Sequence, residues 1–132
     1  MNEQQLYYRQ KLKFEIDASD LFDSLQTASE IVIVDTRKPE FYAQEHLPKA
    51  INLPHRSMNS TTCNELAPSK TYVCYCDGIG CNASTKGALQ LSLLGFQVKE
   101  LIGGLDWWKR DGYPTTTELS TDAEATSIRC GC

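Results

Sequence analysis

A short run of β-branched residues, Ile31-Val-Ile-Val34, restricts the folds open to this chain. Such an uninterrupted run is typical of a strand buried on both faces, as in a parallel sheet covered by helices. Three more candidate strands follow at 50–53, 71–76 and 96–102, with helical or loop segments between them. Strands that alternate with helices predict an α/β domain whose central sheet is mainly parallel and flanked by helices.

Capping and turn residues indicate where the intervening helices begin and end. Pro39 suits the first turn of a short helix, and Asn82 is a candidate N-cap for a helix that Gly95 would end. A length of 132 residues supports one domain with one core. We therefore expect three segments along the chain: a polar helical arm over 1–13, a single domain over 14–114 and a polar tail over 115–132.

The charge balance and the N-terminal residues narrow the classes of function. The formal net charge is −4, and no cluster of Lys and Arg is present, as a nucleic-acid surface or a polybasic membrane anchor would require. Residues 1–14 lack the apolar stretch of a signal peptide, and no run approaches the roughly 20 apolar residues that span a bilayer. We expect a cytoplasmic protein that binds neither nucleic acid nor membrane. In that compartment its six cysteines should be reactive, metal-binding or buried rather than structural cross-links.

A loop that combines a thiol with glycines follows the third candidate strand. Tyr75-Cys76 ends the strand, Asp77-Gly-Ile-Gly-Cys-Asn82 forms the loop, and a helix comes next. In open α/β sheets, functional sites form beyond the carboxyl ends of the strands. A thiol there faces the positive end of the next helix dipole and unpaired backbone amides, which favour the nucleophilic thiolate. The loop alone is equally compatible with a cysteine that only ends a buried strand.

Several separate motifs resemble those of rhodanese-like domains, and they occur in the same order. That family opens with D-x-R, E-F and G-H-I-P-G-A-x-N-I-P, and this chain has Asp35-Thr-Arg37, Glu40-Phe41 and His46-Leu-Pro-Lys-Ala-Ile-Asn-Leu-Pro54. Tyr75-Cys76 matches the position of the family's sulfur-carrying cysteine, and the segments 94–96, 101–107 and 112–114 match its closing motifs. The resemblance spans about 14–114 and implies a single rhodanese-like domain.

This resemblance implies a sulfurtransferase that works without a cofactor. Such enzymes take a sulfane sulfur from thiosulfate, polysulfide or a persulfide and pass it to a thiol or cyanide acceptor. Cys76 would be the nucleophile and the persulfide carrier. Backbone amides of the next six residues would bind the donor and stabilise the charge of the extra sulfur: Asp77, Gly78, Ile79, Gly80, Cys81 and Asn82.

The loop departs from the family's common form, C-x-x-G-x-R-S. The common form has Arg five positions after the nucleophile, where this chain has Cys81, and the loop contains no Arg. It is closest to a variant of the family in which two cysteines are separated by four residues. Loss of the Arg removes a bidentate clamp for an oxyanion. A polysulfide or a low-molecular-weight persulfide therefore fits better than thiosulfate, and a phosphatase is disfavoured.

Cys81 leaves a second class of function open. It is a candidate resolving thiol that would form a disulfide with Cys76, provided that the two sulfurs reach each other. The alternative hypothesis is a redox or reactive-sulfur sensing module that uses both cysteines without efficient turnover.

The other four cysteines have simpler interpretations. Cys74 lies on the same strand as Cys76 and is predicted to be a core residue, whereas Cys63 has no evident partner. Cys130 and Cys132 are expected on the polar tail, either as sulfur-accepting thiols or without a role. The spacings do not form paired C-x-x-C motifs, which disfavours a zinc site.

Three polar residues near the strand ends are assigned structural roles. The Asp35 carboxylate is expected to hold loop amides, and Arg37 to pair with acids such as Glu40. His46 is predicted to be a hydrogen-bonded loop anchor rather than a base, because an ionised thiolate needs no base to activate it.

Overall fold

The computed structural model describes residues 1–27 and 30–118. Its strands are β1 Glu15–Ile16, β2 Ile31–Asp35, β3 Ile51–Asn52, β4 Thr71–Tyr75 and β5 Gln97–Leu101. They form one parallel sheet in the order β1-β5-β4-β2-β3. The predicted α/β architecture with a mainly parallel sheet is confirmed. Strand β1 was not predicted, because two residues are too few to show a periodic pattern.

The helices of the described residues are α1 Glu3–Phe14, α2 Ala18–Gln26, α3 Pro39–Gln44, α4 Ala83–Leu93 and α5 Gly104–Arg110, with a 3-10 turn at His55–Ser57. Local chemistry explains where they begin and end. The Asp17 side chain accepts a hydrogen bond from the Asp20 amide at 2.8 Å and so caps α2. Gly95, with φ of 96°, follows the end of α4. Asn82 occupies the N-cap position of α4, but its side chain makes no capping hydrogen bond.

Helices cover both faces of the sheet, and each face has its own apolar cluster. Strand β4 shows the division, because alternate side chains of a strand point to opposite faces. Val73 and Tyr75 join the cluster under α2 and α5, whereas Tyr72 and Cys74 join the cluster under α4. All four side chains are fully buried. Burial on both faces is the physical reason for the continuous β-forming runs in the sequence.

The two ends of the described chain attach differently to this core. None of the residues of α1 is buried, so the N-terminal arm is a largely exposed helix beside β1 and β5. At the other end, Thr116 forms an antiparallel backbone bridge with His46. Residues 115–118, which the sequence assigned to the polar tail, therefore lie against the domain. In residues 1–27 and 30–118, no helix has the length and apolar character needed to cross a membrane.

Candidate active site

Cys76 directly follows strand β4 and so lies at the carboxyl edge of the sheet, where the loop 77–82 begins. Cys76 is only 2% exposed, and its carbonyl oxygen accepts a hydrogen bond from the Leu105 amide at 2.9 Å. The carbonyl oxygen of Asp77 accepts another from the Asp106 amide at 2.7 Å. Both donors belong to the first turn of α5, whose amides have no partner inside their own helix. The start of α5 therefore holds the start of the loop in place.

Gly104 allows α5 to approach the loop this closely. Its φ is +57°, and a Cβ atom there would lie 2.3 Å from the Cys76 carbonyl oxygen and 2.9 Å from the Gly78 amide nitrogen. Both of these neighbours are backbone atoms, which cannot rotate away as the end of a flexible side chain can. The contact therefore requires glycine for steric as well as conformational reasons.

Replacing Gly104 with alanine should lower the free energy of unfolding by about 2–5 kcal/mol, the combined cost of a left-handed backbone and of overpacking. Denaturant titration measures this quantity. The matched control is Gly80→Ala in the loop itself, where a Cβ would meet nothing within 4 Å. The stability of that variant should stay within about 0.5 kcal/mol of the parent. Equal losses in the two variants would show that the close approach at Gly104 is not required.

The loop is closed by a disulfide between Cys76 and Cys81. Their Cα atoms lie 6.3 Å apart, which is within the usual range for a disulfide. A turn in which the Cys81 amide donates to the Gly78 carbonyl oxygen at 3.1 Å folds the loop back toward its own start. The two sulfurs therefore do reach each other, which the sequence alone had left open.

A buried network of hydrogen bonds and ion pairs connects this loop to the end of β2. The fully buried Asp35 carboxylate accepts hydrogen bonds from the Arg37 amide at 2.9 Å, from Arg37 Nη2 at 2.8 Å and from the Tyr75 hydroxyl at 2.6 Å. Arg37 Nη1 donates to Asp77 Oδ1 at 3.0 Å, and its Nη2 also donates to the Glu45 carbonyl oxygen. The first residue of the loop is thus tied to the neighbouring strand.

The acids that pair with Arg37 differ from the one expected. The sequence suggested Glu40, but Glu40 lies in the exposed first turn of α3, and Arg37 pairs with Asp35 and Asp77 instead. Burial works against the charge of Arg37, but hydrogen bonding and the charge of Asp35 outweigh it and raise the pKa of Arg37. Burial and then the charge of Asp35 also raise the pKa of Tyr75, so its hydroxyl remains a hydrogen-bond donor.

A cleft that the sequence did not reveal lies where the 3-10 turn meets α4. Its volume is about 360 Å³, and three basic residues line it: His55, Arg56 and Lys86. Burial, followed by the charges of Lys86 and Arg56, lowers the pKa of His55, which is therefore largely neutral at pH 7. The cleft places two permanent positive charges beside the helix that the loop enters. Its residues are distant in sequence, so no local motif indicated it.

The other described cysteines lie in the core rather than at the site. Cys74 is fully buried, and burial together with the nearby Glu100 raises the pKa of its thiol to about 12. The prediction that Cys74 is a core residue is confirmed. Cys63 is 2% exposed and packs in the same apolar cluster. Cys130 and Cys132 lie outside the described residues, within which no group of His, Cys, Asp and Glu is arranged to hold a metal ion.

His46 is the loop anchor that the sequence predicted. The residue is 2% exposed, its ring stacks on Tyr42 with ring centroids 3.8 Å apart, and Nδ1 lies 2.7 Å from the Tyr42 carbonyl oxygen. On its other side, Nε2 lies 3.5 Å from Glu118 Oε1. These contacts hold the segment after α3 against the last described residues.

The fold and the site together define an α/β domain that presents a cysteine on a loop between a central parallel strand and a helix. A family model described as "Rhodanese-like domain" matches residues 18–111. The chain therefore belongs to the family of rhodanese-like domains. The match covers α2 to α5 and includes Cys76 and the whole of the loop 77–82.

Two curated relatives are similar in sequence. The "Uncharacterized protein slr1261" of Synechocystis sp. is 32% identical over 99 residues, which are 74% of this chain and 54% of that protein. The "HTH-type transcriptional regulator Rv0324" of Mycobacterium tuberculosis is 32% identical over 87 residues, which are 66% of this chain and 38% of that protein. The chain thus matches about half or less of the length of these relatives.

Solved structures show the same fold. The BH2092 protein from Bacillus halodurans is 35% identical with a TM-score of 0.85, and the match covers 96% of this chain and 95% of that one. A thiosulfate sulfurtransferase from Pseudomonas aeruginosa is 24% identical with a TM-score of 0.68, and the match covers 80% of this chain and 19% of that one. Because its sequence identity is only 24%, the similarity to the Pseudomonas aeruginosa protein supports the fold alone.

Proposed function

We propose that this protein is a sulfurtransferase that carries a sulfane sulfur as a persulfide on Cys76. The observation that carries the proposal is the position of this cysteine, at the end of a central strand and at the start of a loop held from two sides. The first turn of α5 binds the carbonyl groups of Cys76 and Asp77, and Arg37 binds the Asp77 carboxylate. A nucleophile held in this way needs little reorganisation when it attacks a donor.

The reaction consists of two nucleophilic steps, and neither requires a cofactor. In the first, the Cys76 thiolate attacks the sulfane sulfur of the donor, and the rest of the donor leaves with the bonding electrons. In the second, an acceptor thiolate or cyanide attacks the outer sulfur of the persulfide, and the Cys76 thiolate is regenerated. The proposed binding residues 77–82 form the loop that begins next to the nucleophile. The Cys81 amide already donates to the Gly78 carbonyl oxygen, so the other amides of this loop are the ones proposed to stabilise the charge of the transferred sulfur.

The charges around the loop favour a polysulfide or a low-molecular-weight persulfide as the donor. Thiosulfate carries an oxyanion that is best held by a bidentate guanidinium group. The guanidinium that contacts the loop belongs to Arg37, and it is already engaged by Asp35 and Asp77. Arg56 and Lys86 line the neighbouring cleft and add positive charge that attracts an anionic donor.

While Cys76 is bonded to Cys81 it is not a thiolate, so it cannot attack the sulfane sulfur of a donor. A thiol reductant must therefore open the disulfide before the first step. An organic trisulfide, whose sulfurs are not anionic nucleophiles, should transfer no sulfur to Cys76 in unreduced protein, whereas reduced protein should react.

Intact-protein mass spectrometry of the Cys81→Ser variant tests the proposal, because this variant cannot form the disulfide. After reduction, brief exposure to sodium tetrasulfide and desalting, the variant should gain the mass of one sulfur atom. Peptide mapping after alkylation should place that sulfur on Cys76. The absence of an adduct, or an adduct on another cysteine, would show that Cys76 is not the sulfur carrier.

A second candidate function is a redox or reactive-sulfur sensor without efficient turnover, and the Cys76–Cys81 disulfide is the observation that favours it. The match to part of a protein named as an HTH-type transcriptional regulator is compatible with that role. Steady-state transfer of sulfur to cyanide by the Cys81→Ser variant, which keeps its persulfide, separates the two functions. An enzyme forms many equivalents of thiocyanate per chain, whereas a sensor stops after about one.

A further inference from the structure

We propose that Cys81 reduces the sulfur carried by Cys76 and releases it as hydrogen sulfide, so that the loop acts as a persulfide reductase. The inference rests on the proposed function, since it needs the Cys76 persulfide as its starting point. The structural basis is the disulfide, which shows that Cys81 Sγ reaches bonding distance of Cys76 Sγ. In a persulfide on Cys76, this same Cys76 Sγ is the inner of the two sulfur atoms.

A persulfide has two sulfur atoms that a thiolate can attack, and the two attacks have different outcomes. Attack on the outer sulfur transfers it to the attacking thiol, which is the sulfurtransferase step. Attack on the inner sulfur forms a disulfide and expels the outer sulfur as hydrosulfide. The observed bond joins Cys81 to the sulfur that would be the inner one, so it is the same bond that the second kind of attack would form.

The atoms and electrons of this step balance without a cofactor. The Cys81 thiolate forms a bond to Cys76 Sγ, and the bond between Cys76 Sγ and the outer sulfur breaks with its electron pair on the outer sulfur. The sulfane sulfur is reduced by two electrons to hydrosulfide, and the two cysteine sulfurs are each oxidised by one electron. The proton lost from Cys81 goes to solvent. A dithiol, or two molecules of a low-molecular-weight thiol, then reduces the disulfide and returns both cysteines to thiols.

Because Cys81 is tethered in the same loop as Cys76, we expect it to react with the persulfide faster than an external thiol does. It belongs to the same short loop, and the turn between its amide and the Gly78 carbonyl holds it near the start of that loop. Well-oriented intramolecular groups reach effective concentrations on the order of 10⁵ M or more, far above the concentration of any external thiol. Of the other described cysteines, Cys74 is held protonated in the core, and Cys63 lies in the same buried cluster.

The burial of the two cysteines predicts which sulfur of the disulfide an external thiol reductant attacks. Cys76 is 2% exposed in the disulfide state, whereas Cys81 is only partly buried. An external thiolate should therefore attack Cys81 Sγ and release the Cys76 thiolate. The next donor then meets a free nucleophile, and the cycle can repeat.

The test compares parent protein with Cys81→Ser, both fully reduced and exposed to one equivalent of sodium tetrasulfide. The parent should release about one equivalent of hydrogen sulfide per chain more than the variant, and its mass should fall by two hydrogens. The variant should instead keep the mass of one added sulfur atom. Repeating the comparison in chains with serine at both Cys130 and Cys132 excludes a contribution from those thiols, and Cys81→Ala serves as a second variant if the serine form folds poorly.

The possible outcomes distinguish this inference from the proposed function. A parent protein that keeps its persulfide, and releases no more sulfide than Cys81→Ser, would overturn the reductase step but leave the sulfur carrier in place. If no form of the protein gains sulfur, the sulfur carrier and the reductase both fail. Excess sulfide from the parent, together with the disulfide mass, supports both.

Discussion

Replacing Asp35 with alanine should lower the free energy of unfolding by about 3–5 kcal/mol. Its carboxylate is fully buried and accepts hydrogen bonds from Arg37 and Tyr75. Without it, the Arg37 guanidinium, which is 4% exposed, keeps only the part-exposed Asp77 as an ionic partner. A buried positive charge that is poorly compensated is strongly destabilising. The loss is a large share of the 5–15 kcal/mol that is typical of folded domains, roughly a third.

Denaturant titration measures this effect, and two further variants show where it comes from. Asp23→Ala removes an exposed acid from α2 and should change stability by no more than about 0.5 kcal/mol. Combining Asp35→Ala with Arg37→Met should cost less than the sum of the two single changes, because the partners form one network. A loss below about 1 kcal/mol in Asp35→Ala would contradict the importance of the network.

In the Cys81→Ser chain, in which Cys81 cannot consume the persulfide before cyanide does, replacing Cys76 with serine as well should lower the rate of sulfur transfer to cyanide by at least about 1000-fold, to the level of the uncatalysed reaction. A serine hydroxyl stays protonated at neutral pH, and its oxygen cannot form the persulfide on which both half-reactions depend. The loss should appear in single-turnover as well as steady-state measurements of thiocyanate formation, since the first bond-forming step is removed.

Cys74→Ala is the matched control for this experiment. It removes a thiol two residues earlier on the same chain segment, but that thiol is buried and its pKa is raised to about 12. In the same Cys81→Ser chain, the control should retain thiocyanate formation within a few-fold of the chain that keeps Cys74, with some loss of stability from the smaller side chain. Comparable loss of activity in both variants would show that core packing, rather than the nucleophile, explains the effect of Cys76→Ser.

The strands and helices were largely predictable because their signals are local. A strand buried on both faces is a continuous apolar run, and the residues that start helices, such as the N-cap Asp17 and the first-turn Pro39, belong to those helices or lie next to them. Strand β1 was missed, since its two residues acquire strand geometry only by pairing with β5. Residues 115–118 were assigned to the tail, since their polar side chains give no sign of the backbone bridge to His46.

The position of the candidate nucleophile was also predictable, whereas most of its surroundings were not. Cys76 follows a strand and precedes a loop with glycines, and motifs on both sides support its assignment. The pairing of Arg37 with Asp77 could not be identified, because the two residues are forty positions apart in sequence. The cleft lined by His55 and Lys86 could not be predicted either, because these residues are also far apart in sequence.

By itself, the sequence determined the α/β class, the parallel sheet and the place of Cys76 at the end of a strand. These properties depend on periodicity and on short motifs, which are complete within a few neighbouring residues. Only the tertiary structure decided that Gly104 touches the loop, that Arg37 binds Asp77, and that Cys81 reaches Cys76. Such contacts depend on distances of a few ångströms between backbone segments, and the paths of those segments are set only when the whole core packs.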